Sequence, residues 1–89
     1  MERVQGRILQ GRKVLIDEIE IWLEFATSPG GKPEWHGGFP LPQGSHIRDG
    51  EYYMLELADG RSGEMFINEL QPSGHEGSTA LFTGSGPLQ

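Results

Sequence analysis

Residues 52–70 read YYMLELADGRSGEMFINEL, and the pattern in this stretch decides the fold class. Tyr53, Leu55 and Leu57 alternate with Tyr52, Met54 and Glu56. Beyond Asp59-Gly60 the alternation resumes, with Met65 and Ile67 set against Glu64, Phe66 and Asn68. Period two is the repeat of an extended strand whose successive side chains point to opposite faces. An Asp-Gly pair between two such runs favours a primed turn, because both central residues can take positive φ, and the segment predicts a hairpin.

Upstream, the segment from Val14 to Phe25 carries a second strand signal. Ile19, Ile21, Leu23 and Phe25 alternate with Glu18, Glu20, Trp22 and Glu24, which places the first set on a core face and the second in water. A helix would gather Leu15, Ile19, Trp22 and Leu23 but would lose Ile21 and Phe25 from the stripe. The β-branched residues also favour the strand. Asp17 interrupts the core-facing set, so a bend or bulge is expected there.

Three weaker strands complete the chain. Val4 to Leu9 precedes a Gln10-Gly11 turn, and Glu34 to Leu41 holds Trp35, Gly37, Phe39 and Leu41 at period two. Pro40, on the opposite parity, cannot donate to a ladder, so that strand is expected at an edge or to end there. Thr27 to Pro33, Pro42 to Gly50 and Pro72 to Gly77 read as loops or turns on their Gly, Pro and Asp content. Thr79 to Thr83 reads as a short last strand. Six short strands with no convincing helix predict an all-β fold, a small six-stranded antiparallel barrel in residues 1–84. Residues 85–89 are expected to form a flexible tail.

Composition bounds what such a barrel can do. Among the 89 residues, 14 are Gly and 21 are Leu, Ile, Val or Phe. That share lies just above the roughly 20% level below which disorder becomes the better expectation, so a thin core is predicted. There is no cysteine, which excludes disulfides and thiolate ligands. No apolar run exceeds four residues, so no membrane span is expected, and a bacterial cytoplasmic protein is the default expectation.

The net charge of −6 repels polyanions at long range, which argues against nucleic acid as a partner. Arg3, Arg7, Arg12 and Lys13 nevertheless gather in the first thirteen positions, a basic end on an acidic body. Arg3 and Arg7 form an Arg-x-x-x-Arg pair ahead of the expected barrel. This pair resembles the first half of the cyclic-di-GMP site of PilZ domains, where two such arginines grip phosphate and guanine. The resemblance covers about five residues and implies an anion site at Arg3 and Arg7. The family's second motif, Asp/Asn-x-Ser-x-x-Gly on an early strand, is missing, since Asp59-Gly60-Arg61-Ser62-Gly63 has other spacing and falls late.

Other chemistry finds little footing. His36, His46 and His75 could be set with Glu34 or Glu76 as metal ligands, but they have no compact ligand spacing, and no metal or cofactor is expected. No nucleophile elbow or phosphate-cradling loop is present, and no catalytic residue is assigned. The residues that carry an expectation of function are Trp22 beside Glu18, Glu20 and Glu24, with Trp35. An outward Trp among carboxylates suits a peptide or basic protein anchor, since Trp and Tyr dominate interface hot spots. The competing expectation is that Trp22 packs against the Pro/Gly loop or a neighbouring strand. The sequence therefore predicts a non-enzymatic protein-interaction or accessory module. The alternative is a nucleotide- or nucleic-acid-binding barrel using the basic N-terminal residues.

Overall fold

In the computed structural model, which describes residues 1–72 and 77–89, the chain forms six strands. They are β1 (Glu2–Gln10), β2 (Lys13–Thr27), β3 (Pro33–Leu41), β4 (Tyr52–Leu57), β5 (Ser62–Pro72) and β6 (Ser78–Ser85). Every neighbouring pair is antiparallel, and the order β1-β2-β3-β6-β5-β4 closes on itself through β1 and β4. The expected six-stranded barrel is what forms, and no described residue is helical. Closure leaves few exposed strand edges on so small a sheet.

The period-two residues supply the core. Ile8, Ile21, Leu23, Phe39, Leu55, Met65, Ile67 and Phe82 are the largest fully enclosed side chains, and one cluster joins them to Ile16, Ile19, Trp35, Tyr53 and Leu57. Ile47, inside the loop between β3 and β4, adds a buried side chain with no periodic context to announce it.

β2 bends where Asp17 broke the pattern. Gly6 pairs with Ile19 and Ile8 with Ile16, so Arg7 stands opposite both Asp17 and Glu18, a β-bulge. Glu18 takes φ of 51° and donates its N–H to the Asp17 carboxylate at 3.0 Å, which satisfies an amide taken out of the ladder. The extra residue explains how Ile16 and Ile19, three apart, can both face inward. A further shift at Leu15 and one at Asn68 in β5 complete the curvature.

Several expectations are corrected. Phe25 keeps the core-facing parity but is 55% exposed, because β1 begins opposite Leu23 and residues 24–27 of β2 pair only with β3. These residues form an arm that projects past the barrel wall. The β4–β5 hairpin exists, but its turn is not a primed one. Leu57 N–H bonds to Arg61 O and Gly60 N–H to Leu57 O, and only Gly60, at φ of 100°, is left-handed. This is the three-residue loop, with its single Gly in the left-handed region.

Pro40 ends pairing without making β3 an edge strand. β3 pairs with β2 only up to Gly38, and Pro40 lies beyond that point, bonded across to β6 alone. The C-terminal residues do not hang free either. The chain turns at Gly86, Trp35 Nε1 donates to Gly86 O at 2.8 Å, Ser62 and Gln89 exchange backbone hydrogen bonds, and Leu88 packs against the core. His75 and most of the expected Pro72–Gly77 turn lie outside the described residues.

Candidate docking face

The regular part of β2 turns Glu20, Trp22 and Glu24 outward, as the alternation requires. Trp22 is half-buried, and its neighbour across the ladder is Gly38 of β3. A Cβ on Gly38 would lie 2.7 Å from Cη2 of the indole and 2.8 Å from Ala80 O, so the six-membered ring occupies the space a side chain would take. Trp22 therefore both faces outward and packs on a neighbouring strand, and the two readings of it meet in one geometry.

Register then builds a surface from residues far apart in sequence. One row runs Arg3, Trp22, Gly38, Leu81 and Glu69 across β1, β2, β3, β6 and β5. The next runs Glu24, His36, Thr83, Phe66 and Tyr52 across β2, β3, β6, β5 and β4. Tyr52 and Phe66 stack edge to face with ring centroids 5.0 Å apart, and Tyr52 is one of the exposed large apolar side chains. Between the rows lies an open cleft of about 340 Å³, lined by Trp22, Glu24, His36, Asn68, Leu81 and Thr83. Asn68 Nδ2 donates to Thr83 Oγ1 at 2.6 Å, and His36 Nε2 lies 3.8 Å from the Glu24 carboxylate.

Charge is unevenly spread over the wall. β6 carries none, and β3 carries one carboxylate, Glu34, which lies on the projecting arm. β2, by contrast, holds Lys13, Asp17, Glu18, Glu20 and Glu24, and β5 holds Glu64 and Glu69. A charge-free stripe centred on Gly38 and Leu81 is thus bordered by glutamates on both sides.

The remaining sequence-derived candidates are not brought together here. Trp35 is 4% exposed, packs edge to face on Phe82 at 6.0 Å, and belongs to the core rather than to any partner surface. Glu18 is turned by the bulge into a separate cleft of about 280 Å³ with Arg7, Asp17 and Glu56. Arg3 and Arg7 stand on β1 itself, inside the barrel wall and not ahead of it. Arg3 faces Glu20 at 3.6 Å, and Arg7 sets two donors on one Glu56 oxygen at 2.7 and 2.8 Å. Arg12 and Lys13 sit at the β1–β2 turn, and extended chain at ~3.3 Å per residue from Arg3 to Gln10 puts that turn about 23 Å from Arg3. The N-terminal basic residues are cross-strand ion pairs plus a distant turn, not a groove.

Three groups have their protonation shifted by structural contacts. Asp59 is held below the usual carboxylate range by its hydrogen bonds from Arg61, and Arg61 is raised by Asp59 and Glu2. Burial raises the Tyr53 phenol. Among the described residues, no group of three or more His, Asp or Glu side chains is placed to hold a metal ion. The chain matches no family model, no curated protein and no solved structure.

Proposed function

We propose that this chain is a non-enzymatic protein-interaction module that docks a basic partner on the outer face of β2, β3, β6 and β5 around Trp22. The observation that carries this reading is the uncharged stripe of Gly38, Leu81 and Thr83, walled by Trp22 and paired at Thr83 with Phe66, on a chain of net charge −6. Interface cores are depleted of charge and enriched in Trp, Tyr and Phe, with charge moved to the rim. The glutamates on β2 and β5 are that rim, and their sign selects a cationic partner and speeds its encounter. Nucleotide or nucleic-acid binding gains less support, since Arg3 and Arg7 already face carboxylates and phosphate contacts would have to displace them.

The test is capture of partners from native lysate by the wild-type chain, identified by mass spectrometry, with two variants alongside. Leu81→Arg puts a charge in the middle of the stripe, and Arg12→Glu reverses the basic turn. A partner retained by wild type and by Arg12→Glu, and lost by Leu81→Arg, supports the docking face. Loss by Arg12→Glu alone, or salt-sensitive retention of single-stranded DNA on a filter, overturns it in favour of the basic end.

A further inference from the structure

The cleft beside Trp22 also indicates what the partner's anchor is. Resting on the docking-face reading, we infer that the cleft receives an arginine side chain, its guanidinium stacked on Trp22 and hydrogen-bonded to Glu24.

Size is the first argument. At about 340 Å³ and open to solvent, the cleft lies at the lower end of the roughly 300–1,000 Å³ range of small-molecule sites. It suits one long side chain entering from the surface. Its floor and one wall are apolar, formed by Leu81 and by Trp22. The indole is seated in the gap left by Gly38, so the platform is set before any ligand arrives and little ordering remains for binding.

Hydrogen-bonding capacity is the second. Asn68 donates its amide N–H to Thr83, leaving its carbonyl oxygen as acceptor. Glu24 contributes a carboxylate whose side chain is 52% exposed, with His36 Nε2 at 3.8 Å as its neighbour on this side. Arg3, across the ladder from Trp22, is directed at Glu20 and so does not neutralise Glu24. Beside the donors of Thr83 and His36, the cleft thus offers the Asn68 and Glu24 oxygens and an aromatic face, and the Glu24 charge favours a ligand that is a cationic donor.

Guanidinium meets both demands. It carries five N–H donors in a plane, stacks on aromatic rings, and is less strongly hydrated than ammonium, so it can leave water for a half-open site. Stacking of a cation on Trp is the strongest of the aromatic pairings. The aliphatic stem of arginine would lie along Leu81, as long basic side chains do on apolar surface.

The experiment is a titration of the isotope-labelled full chain with N-acetyl-arginine methylamide, followed by the Trp22 indole N–H and the Leu81 and Thr83 amides. The lysine, leucine and citrulline methylamides are run in parallel; citrulline keeps the shape and removes the charge. The expected result is a saturable shift of the Trp22 and Leu81 signals with arginine, about tenfold weaker with citrulline. Glu24→Gln should weaken arginine binding to the citrulline level while the Trp35 indole signal stays in place, which shows that the barrel is intact. Equal binding of citrulline or leucine, tighter binding of lysine, or no effect of Glu24→Gln overturns the inference. If arginine fails while Leu81→Arg still abolishes partner capture, the anchor assignment falls and the docking face stands.

Discussion

Replacing Gly84 with alanine should unseat Trp35. A Cβ at position 84 would fall on Cε2, Cδ2 and Nε1 of the indole, inside the 3.0 Å limit that real Cβ atoms respect. The ring has nowhere to retreat. Phe82 packs on it edge to face, Gly63 approaches its Cζ2 so closely that a Cβ there would sit 3.0 Å away, and Gly86 O holds its N–H. Overpacking of a filled core costs about 1–3 kcal/mol, and losing the Gly86 hydrogen bond adds about 1 kcal/mol. Complete expulsion of the indole, exposing some 150–250 Å² at ~25 cal/mol per Å², sets an upper bound of about 4–6 kcal/mol. The expected loss is therefore ~2–4 kcal/mol, a large part of the ~4–13 kcal/mol that a domain of this size holds.

Urea unfolding followed by circular dichroism measures this loss, and the midpoint should fall by about 1 M or more. The Trp35 indole N–H should lose its hydrogen-bonded position in the proton spectrum while the Trp22 signal stays. Gly30→Ala serves as control, since nothing lies within 4 Å of a Cβ there, and it should shift stability by no more than about 0.5 kcal/mol. If Gly84→Ala matched that control with an unmoved Trp35 signal, the packing of Trp35 between β6, Gly63 and the C-terminal residues would be refuted.

Gly38→Ala should displace Trp22 from its seat, destabilise by about 1–2 kcal/mol and shift the Trp22 indole signal, as read by thermal unfolding and proton spectra. Tyr53 accepts a hydrogen bond from Arg48 N–H at 2.9 Å and donates to Glu51 at 3.2 Å, so Tyr53→Phe should cost about 1 kcal/mol in urea. Burial, with the Glu51 carboxylate, raises this phenol above the ordinary tyrosine value. Its stabilisation is complete below that value and declines as pH rises through the raised folded value; unfolding curves that do not weaken on this alkaline side would contradict the burial. Glu18→Gly relieves a left-handed conformation at φ of 51° but adds freedom to the unfolded chain, so stability should be unchanged or raised by up to about 1 kcal/mol. Phe25→Ser, on the projecting arm, should change stability by under about 0.5 kcal/mol despite its core-like parity, and a large loss would mean the arm is packed.

Parity was legible wherever two strands lay close in sequence. The hairpin from Tyr52 to Leu70 and the Ile19–Leu23 run declare both their faces and their inward residues, because the strand period is local. Phe25 misled for a non-local reason: its burial depends on where β1 starts, and that strand begins opposite Leu23. Trp35 likewise could be assigned to the core only once β6 and the C-terminal residues were known to enclose it. The stripe was illegible as a unit. Residues 22, 38 and 81 become neighbours only through two strand registers, and no spacing in the chain announces that a glycine will lie under a tryptophan. The outward parity of Leu81 and Thr83 in the last strand was the one available hint.

The bulge at Asp17 and Glu18 ties the core to the surface. In an unbroken strand Ile16 inward would place Glu18, Glu20 and Trp22 inward as well, three side chains the core cannot enclose. The alternative phase, with Ile19, Ile21 and Leu23 inward, would expel Ile16 from beside Ile8, its cross-strand partner. One extra residue reconciles the two halves of β2, and the polar pair Asp17-Glu18 can occupy that kink because the Asp17 carboxylate accepts the orphaned Glu18 N–H. Trp22 therefore faces outward as a consequence of how the core is closed. Strengthening the core at this point of β2 cannot be separated from fixing the aromatic wall of the cleft. The residue that ends one hydrophobic run sets the outward register of Trp22, five positions downstream.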